Sequence, residues 1–151
     1  MRCRQCRLHC DLVFLADTAK LMTPFVNLAL VPEAASSWLL PARIGHVRAY
    51  AMFALGEPLD AATALACGLA NAVVPAPELR ARARAAADAL TKRPAGSLNH
   101  TKALMREMDK IAAQISREGA LFRERLQTGE AREAFAAFAE RRKPDFSKAA
   151  G

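Results

Sequence analysis

With 151 residues, the chain is long enough for one domain with a core of its own. Its 52% apolar content excludes a disordered composition, and few aromatics among many alanines favour helices packed at close range. The formal charge of +7, from 22 basic and 15 acidic residues, suits a phosphate-bearing small molecule, a nucleic acid or a plain solvated basic surface.

Residues 1–10, MRCRQCRLHC, are polar, basic and without period. Cys3, Cys6 and Cys10, with His9 beside the last, could offer thiolate and imidazole ligands to zinc. A second ligand pair is wanting, since only Cys67 remains, so reduced thiols and no metal or cofactor are expected. The chain opens on no apolar signal core. No apolar run reaches the roughly 18 residues of a membrane span, because Glu33 interrupts the longest. A cytoplasmic protein without a membrane partner is expected.

Asp11–Asp17 (DLVFLAD) reads as a strand buried on both faces, and Lys20–Phe25 as a second short strand. Ser36 or Ser37 can cap a short helix through Leu40, limited by Pro41 and Gly45. A helix over His46–Leu55 ends at Gly56, and Asp60 is placed to cap another over Ala61–Cys67, ended by Gly68. Leu69–Val74 returns as a short strand. Beyond Pro77 the pattern is helical. Leu79, Ala83, Ala86 and Leu90 form one apolar stripe, broken by Pro94 and Gly96. From Ser97, the residues Leu104, Met108, Ile111, Ile115, Phe122 and Leu126 keep near-heptad spacing, with a bend expected near Gly119. Thr128 can cap a last helix that carries Ala131, Phe135 and Phe138 on one face. Arg141, Arg142 and Lys143 follow it and complement its dipole.

The run Pro24–Pro41 is almost wholly apolar, with Glu33 its one charge. A carboxylate desolvated on such a turn would have its pKa raised toward neutrality, as a general acid or base working near pH 7 requires. The alternative is that Pro32-Glu33 opens the next helix and Glu33 serves its N-terminus. No glycine loop that could cradle a phosphate and no nucleophile-elbow serine is present. Aromatics do not interleave with the basic residues, so no nucleic-acid partner is expected.

Several pieces, in order and spacing over residues 9–146, carry a resemblance. They are His9-Cys10-Asp11-Leu12-Val13, then Pro24-Phe25 through Ser36-Ser37, then Gly56-Glu57-Pro58-Leu59-Asp60-Ala61 through Gly68-Leu69. Thr101-Lys102-Ala103-Leu104, Glu118-x-x-x-Phe122 and Glu130-Ala131 through Asp145-Phe146 follow. Together they resemble the C-terminal part of the enoyl-CoA hydratase/isomerase (crotonase) superfamily, most of all delta3-delta2-enoyl-CoA isomerases and hydratase-like proteins.

The resemblance implies an α/β fold of crotonase (ClpP/crotonase) type, truncated to its mainly helical C-terminal half with two or three short N-terminal strands. It divides the chain into an atypical segment 1–10, a remnant of the core over 11–75 and a helical trimerisation region over 76–151. It implies an acyl-CoA substrate, and a homo-oligomer, trimer or hexamer. Glu33 matches the single base of isomerase-type members. Gln5 and Phe25 match the two glutamates that hydration uses, and neither is acidic. Phe138 and Arg141 match positions near the adenine and phosphates of CoA. The family's glycine-rich turn, source of one oxyanion amide, is replaced by Met1–Arg7. Loss of such a donor costs about 3 kcal/mol in barrier, so low activity is expected. The alternative is a non-catalytic helical module that associates with itself or with full-length paralogues.

Overall fold

The computed structural model describes residues 5–149, with only the backbone of Gln5, Cys6 and Lys148. After a one-turn helix at Gln5–His9, two short strands follow, β1 (Phe14–Ala16) and β2 (Lys20–Leu21). Both are shorter than the apolar runs that predict them, because their partners are short. β1 pairs in parallel with β4 (Ala72–Val74), Leu15 opposite Val73. β2 pairs antiparallel with β3 (Leu59–Asp60), Leu21 opposite Leu59. Asn71 extends the first pair: its Oδ1 accepts from Val13 N and its N donates to Val13 O, both at 2.7 Å. Past Leu21 the chain turns, and Thr23 Oγ1 donates to Met52 O at 3.0 Å.

The core sits between these strands and the helices α1 (Ser36–Ile44), α2 (His46–Tyr50) and α3 (Ala61–Ala66). Leu15, Leu21, Phe25, Leu40, Ile44, Met52, Phe53, Leu59 and Leu69 are buried there. The rings of Phe25 and Phe53 lie 6.1 Å apart, tilted by 44°. α1 runs through Pro41 rather than ending before it. Proline removes one helical hydrogen bond, but burial of both Leu40 and Ile44 holds the next turn in place. α2 passes into a π-helical turn at Ala51–Leu55, closed by Gly56 at φ 69°. A Cβ at Gly56 would lie 2.6 Å from Asn27 Nδ2 and displace that exposed side chain, and the left-handed backbone itself favours glycine there. Asp60 caps α3 as its sequence predicts, accepting from Thr63 N at 2.7 Å.

The remaining helices are α4 (Leu79–Thr91), α5 (Ala95–Met105), α6 (Met108–Leu126) and α7 (Gly129–Ala139). The bend expected near Gly119 falls instead at Arg106-Glu107, and α6 continues through Gly119. Arg106 is extended, and its guanidinium reaches back to His9 O at 2.6 Å and lies 3.6 Å from Asp11 Oδ1. That long-range contact, invisible in the local pattern, sets the break. In α7 the buried face is Ala131, Ala134 and Ala137, while Phe135 and Phe138 point outward. Small residues let this helix pack closely on the turn Val26–Leu28. Thr128 Oγ1 accepts from Ala131 N at 3.2 Å, the expected cap. Among the described residues, no helix is long and apolar enough to cross a membrane.

Candidate active site

Glu33 stands on the turn that joins Val26–Leu28 to α1. The two residues after it, Ala34 and Ala35, both adopt left-handed backbone, at φ 58° and 54°. Each such alanine costs roughly 1–2 kcal/mol, so the turn persists only where its surroundings fix it. Its consequence is direct: the Glu33 side chain is turned outward and exposed. The burial that its apolar neighbours predict is therefore absent in this chain. The helix-start alternative is not realised through its carboxylate either, because no side chain caps α1 from Ala35, the N-cap position.

The amides that open α1 are all engaged. Ser36 N donates to Glu33 O at 3.0 Å, Trp38 N and Leu39 N to Ala35 O at 3.2 and 2.9 Å, and Ser37 N to Glu118 Oε1 at 3.0 Å. Ser36 itself, a predicted cap, is instead a fully buried first residue of the helix. Two contacts from distant parts of the chain hold the turn. His9 Nε2 donates to Ala34 O at 2.8 Å. Glu118, from α6, takes both the amide and the hydroxyl of Ser37. Just upstream, Arg125 Nε donates to Ala29 O at 3.1 Å, fixing another left-handed alanine at φ 55°.

The other sequence-derived positions fall as follows. Phe25, one of the two positions matched to a hydration acid, is a core side chain with 7% exposure. A carboxylate there would be buried beside Phe53 without a charged partner in its motif. Gln5 opens the first helical turn, and its side chain lies outside the described residues. Phe138 is 76% exposed at the end of α7. Arg141 follows at φ 55°, exposed, its N donating to Phe138 O at 3.3 Å. Phe138 and Arg141 thus form one exposed pair. No hydrogen bond or ion pair among the described residues joins Glu33 to either. Of the cysteines, Cys3 and the Cys6 side chain lie outside the described residues, Cys10 is exposed and Cys67 half-buried.

Sequence reasoning left out His9, Arg125 and Glu118 as holders of this turn. For His9 and Arg125 no local signal exists, since each acts through a single backbone carbonyl far away in sequence. For Glu118 one did: it sits in the apolar stripe between Ile115 and Phe122, at three and four residues' spacing, where a charge faces inward.

Comparison with known proteins adds an independent finding. Residues 5–149 match the family model described as enoyl-CoA hydratase/isomerase. The chain is 37% identical to an enoyl-CoA hydratase/isomerase of known structure from Pseudoalteromonas atlantica T6c. That match has a TM-score of 0.90 and covers 95% of this chain and 58% of the other. An enoyl-CoA hydratase from Mycobacterium avium subsp. paratuberculosis K-10 superposes with a TM-score of 0.85 at 33% identity, over 92% of this chain and 57% of that one. Enoyl-CoA delta isomerase 2 of Rattus norvegicus is 31% identical over 134 residues, 87% of this chain and 34% of the rat protein. The chain spans about half the length of the curated relatives it matches, 54% of those from mycobacteria.

Proposed function

The chain belongs to the enoyl-CoA hydratase/isomerase family, and from that premise we propose that it acts on acyl-CoA thioesters by moving a double bond. The reaction is conversion of a 3-enoyl-CoA to a 2-enoyl-CoA. Glu33 takes a proton from C2, the electrons spread over a dienolate, and the same carboxylate returns the proton to C4. One carboxylate suffices because removal and return occur on one face of a planar intermediate. The reaction needs no cofactor beyond the CoA thioester itself.

The observation that carries this reading is the contrast between Phe25 and Glu33. Hydration needs one group to activate water and another to protonate carbon. Phe25, at one of the two matched positions, is committed to the core. Glu33 is free at the surface of a fixed turn. A thioester lying over that turn would supply the desolvation that a carboxylate base needs. Phe138 and Arg141 would take the nucleotide end of CoA, an aromatic face for adenine and a guanidinium for phosphate. The amides opening α1 are engaged, so they supply no donor to the dienolate oxygen, and activity well below that of longer relatives is expected.

The test is thioester isomerisation followed by absorbance, with wild type beside Glu33→Gln. The expected outcome is loss of at least about 100-fold in kcat, as removal of a general base entails. Equal activity in both proteins would end Glu33's role as base, and hydration faster than isomerisation would replace the reaction.

A second reading is favoured by a specific observation. Leu104, Met105 and Phe138 are 90%, 79% and 76% exposed on the C-terminal helices. Such a surface suits a non-catalytic module that associates with itself, as a trimer or hexamer, or with longer paralogues. Wild-type protein that oligomerises but neither binds nor turns over a CoA thioester would support it.

A further inference from the structure

We infer that Glu118 is a positioning residue for the Glu33 turn, acting as the N-cap that α1 lacks and supplied from α6, 81 residues further along the chain. The inference rests on the reading of Glu33 as the base, but its physical basis is separate. α1 begins at an alanine that has no side chain to cap with, in left-handed backbone, preceded by another. Of the four amides that open the helix, three are satisfied by backbone carbonyls of the turn itself. The fourth, Ser37 N, donates to Glu118 Oε1 at 3.0 Å, and Ser37 Oγ donates to the same oxygen. Gln114 Nε2, one turn earlier on α6, donates to Ser37 Oγ at 2.8 Å, completing a triangle of Ser37, Gln114 and Glu118.

A packing role does not account for this carboxylate. Glu118 is 4% exposed, and its second oxygen, Oε2, is buried with no hydrogen-bond partner among the described residues, as is Ser36 Oγ. Its place in the stripe between Ile115 and Phe122 would be filled at less cost by a leucine. What a leucine cannot do is accept from the amide and the hydroxyl of Ser37 at a helix N-terminus. With His9 holding Ala34 O on the other side, Glu118 fixes both ends of the two-alanine turn and hence the direction in which Glu33 leaves it.

The experiment compares wild-type chain with Glu118→Leu, which keeps apolar volume at the site, and Glu118→Gln, which keeps the accepting oxygen. Amide hydrogen exchange and backbone chemical shifts are read at residues 33–37, and kcat and KM for 3-enoyl-CoA isomerisation are measured in parallel. In Glu118→Leu the Ser37 amide is expected to exchange about tenfold faster, with shifts moving at Ala34 and Ala35. Its kcat is expected to fall about tenfold at unchanged KM, the mark of a misplaced base. Glu118→Gln should stay within about threefold of wild type on every count. If Glu118→Leu matches wild type in Ser37 exchange, or if Glu118→Gln is as impaired as Glu118→Leu, the inference is overturned. If the exchange changes as expected while wild type shows no isomerisation, the cap stands and only the assignment of Glu33 as base falls.

Discussion

The principal core runs from Leu8 to Ala70, and every buried apolar side chain in it comes from that stretch, whereas α4 and α5 bury no residue at all. Both regions are rich in apolar residues. They differ in what those residues meet. In the first, strands and helices of two to nine residues are too short to persist alone, and mutual burial holds them. In the second, the helices are longer, 11 to 19 residues, and the stripes of α4 and α5 stay open: Leu90 is 42% and Leu104 90% exposed. The two regions are joined by packing, of Phe122 against the core and of the α7 alanines on Val26–Leu28, and by polar reach. Arg106 binds the carbonyls of Leu8 and His9, Lys102 pairs with Asp11 at 2.6 Å, and Glu118 and Arg125 hold the segments either side of Glu33.

Breaking the core should give the largest effect. Phe53→Ala removes a buried ring that packs on Phe25 and should cost about 3–5 kcal/mol in denaturant unfolding. The matching change in the second region, Leu104→Ala, should stay within about 0.5 kcal/mol. Comparable losses would mean that the helices have a covered core in solution. That outcome connects to self-association: the open stripe predicts an oligomer in sedimentation, shifted toward monomer by Leu104→Glu with Met105→Glu. A wild-type monomer that binds no hydrophobic dye would contradict it.

The joint between the regions comes next. Arg106→Ala takes the guanidinium donor from the part-buried His9 carbonyl, while Leu8 O keeps Arg43 Nη2 at 3.0 Å, and the change should cost about 1–3 kcal/mol. Arg106→Lys should recover only part, because an ammonium cannot span both carbonyls and Asp11 as the planar fork does. Full recovery would reduce the contact to simple charge.

Legibility in the sequence follows the same division. The caps at Asp60 and Thr128 and the stops at Gly45, Gly56 and Gly68 were readable, because each is decided within four residues. The family resemblance was readable from spaced pieces, and with it the fold. Strand lengths were not, since β1 and β2 end where distant partners end. Nor was the helix break at Arg106, set by Leu8 and His9, or the buried face of α7, where alanines face the turn Val26–Leu28 rather than the phenylalanines. At the site, Glu33 was legible as an isolated charge, but its exposure depends on the left-handed pair Ala34-Ala35. No propensity places two alanines there; distant clamps do.

The smallest effects come from the two caps, one in each region, and they separate by pH. Thr128→Ala should cost about 1 kcal/mol at every pH, because a threonine hydroxyl has no proton to lose in the working range. Asp60 differs. The Thr63 amide, then the Thr63 hydroxyl, hold its carboxyl below the ordinary 3.8, with Lys20, its partner across β2–β3, adding to the same direction. A carboxyl with a depressed folded pKa stabilises fully above its unfolded value, and the contribution fades as pH falls through the folded one. The gap in melting temperature between wild type and Asp60→Ala should therefore be constant from neutrality down to about pH 5 and close below about pH 4. The gap for Thr128→Ala should not close. Asp60→Asn, a cap without a titrating proton, should track wild type at neutral pH more nearly than Asp60→Ala and show no such closure. If the Asp60→Ala gap persists unchanged into acid, the Asp60 cap owes nothing to its charge, and the two regions begin these helices by the same neutral hydrogen bond.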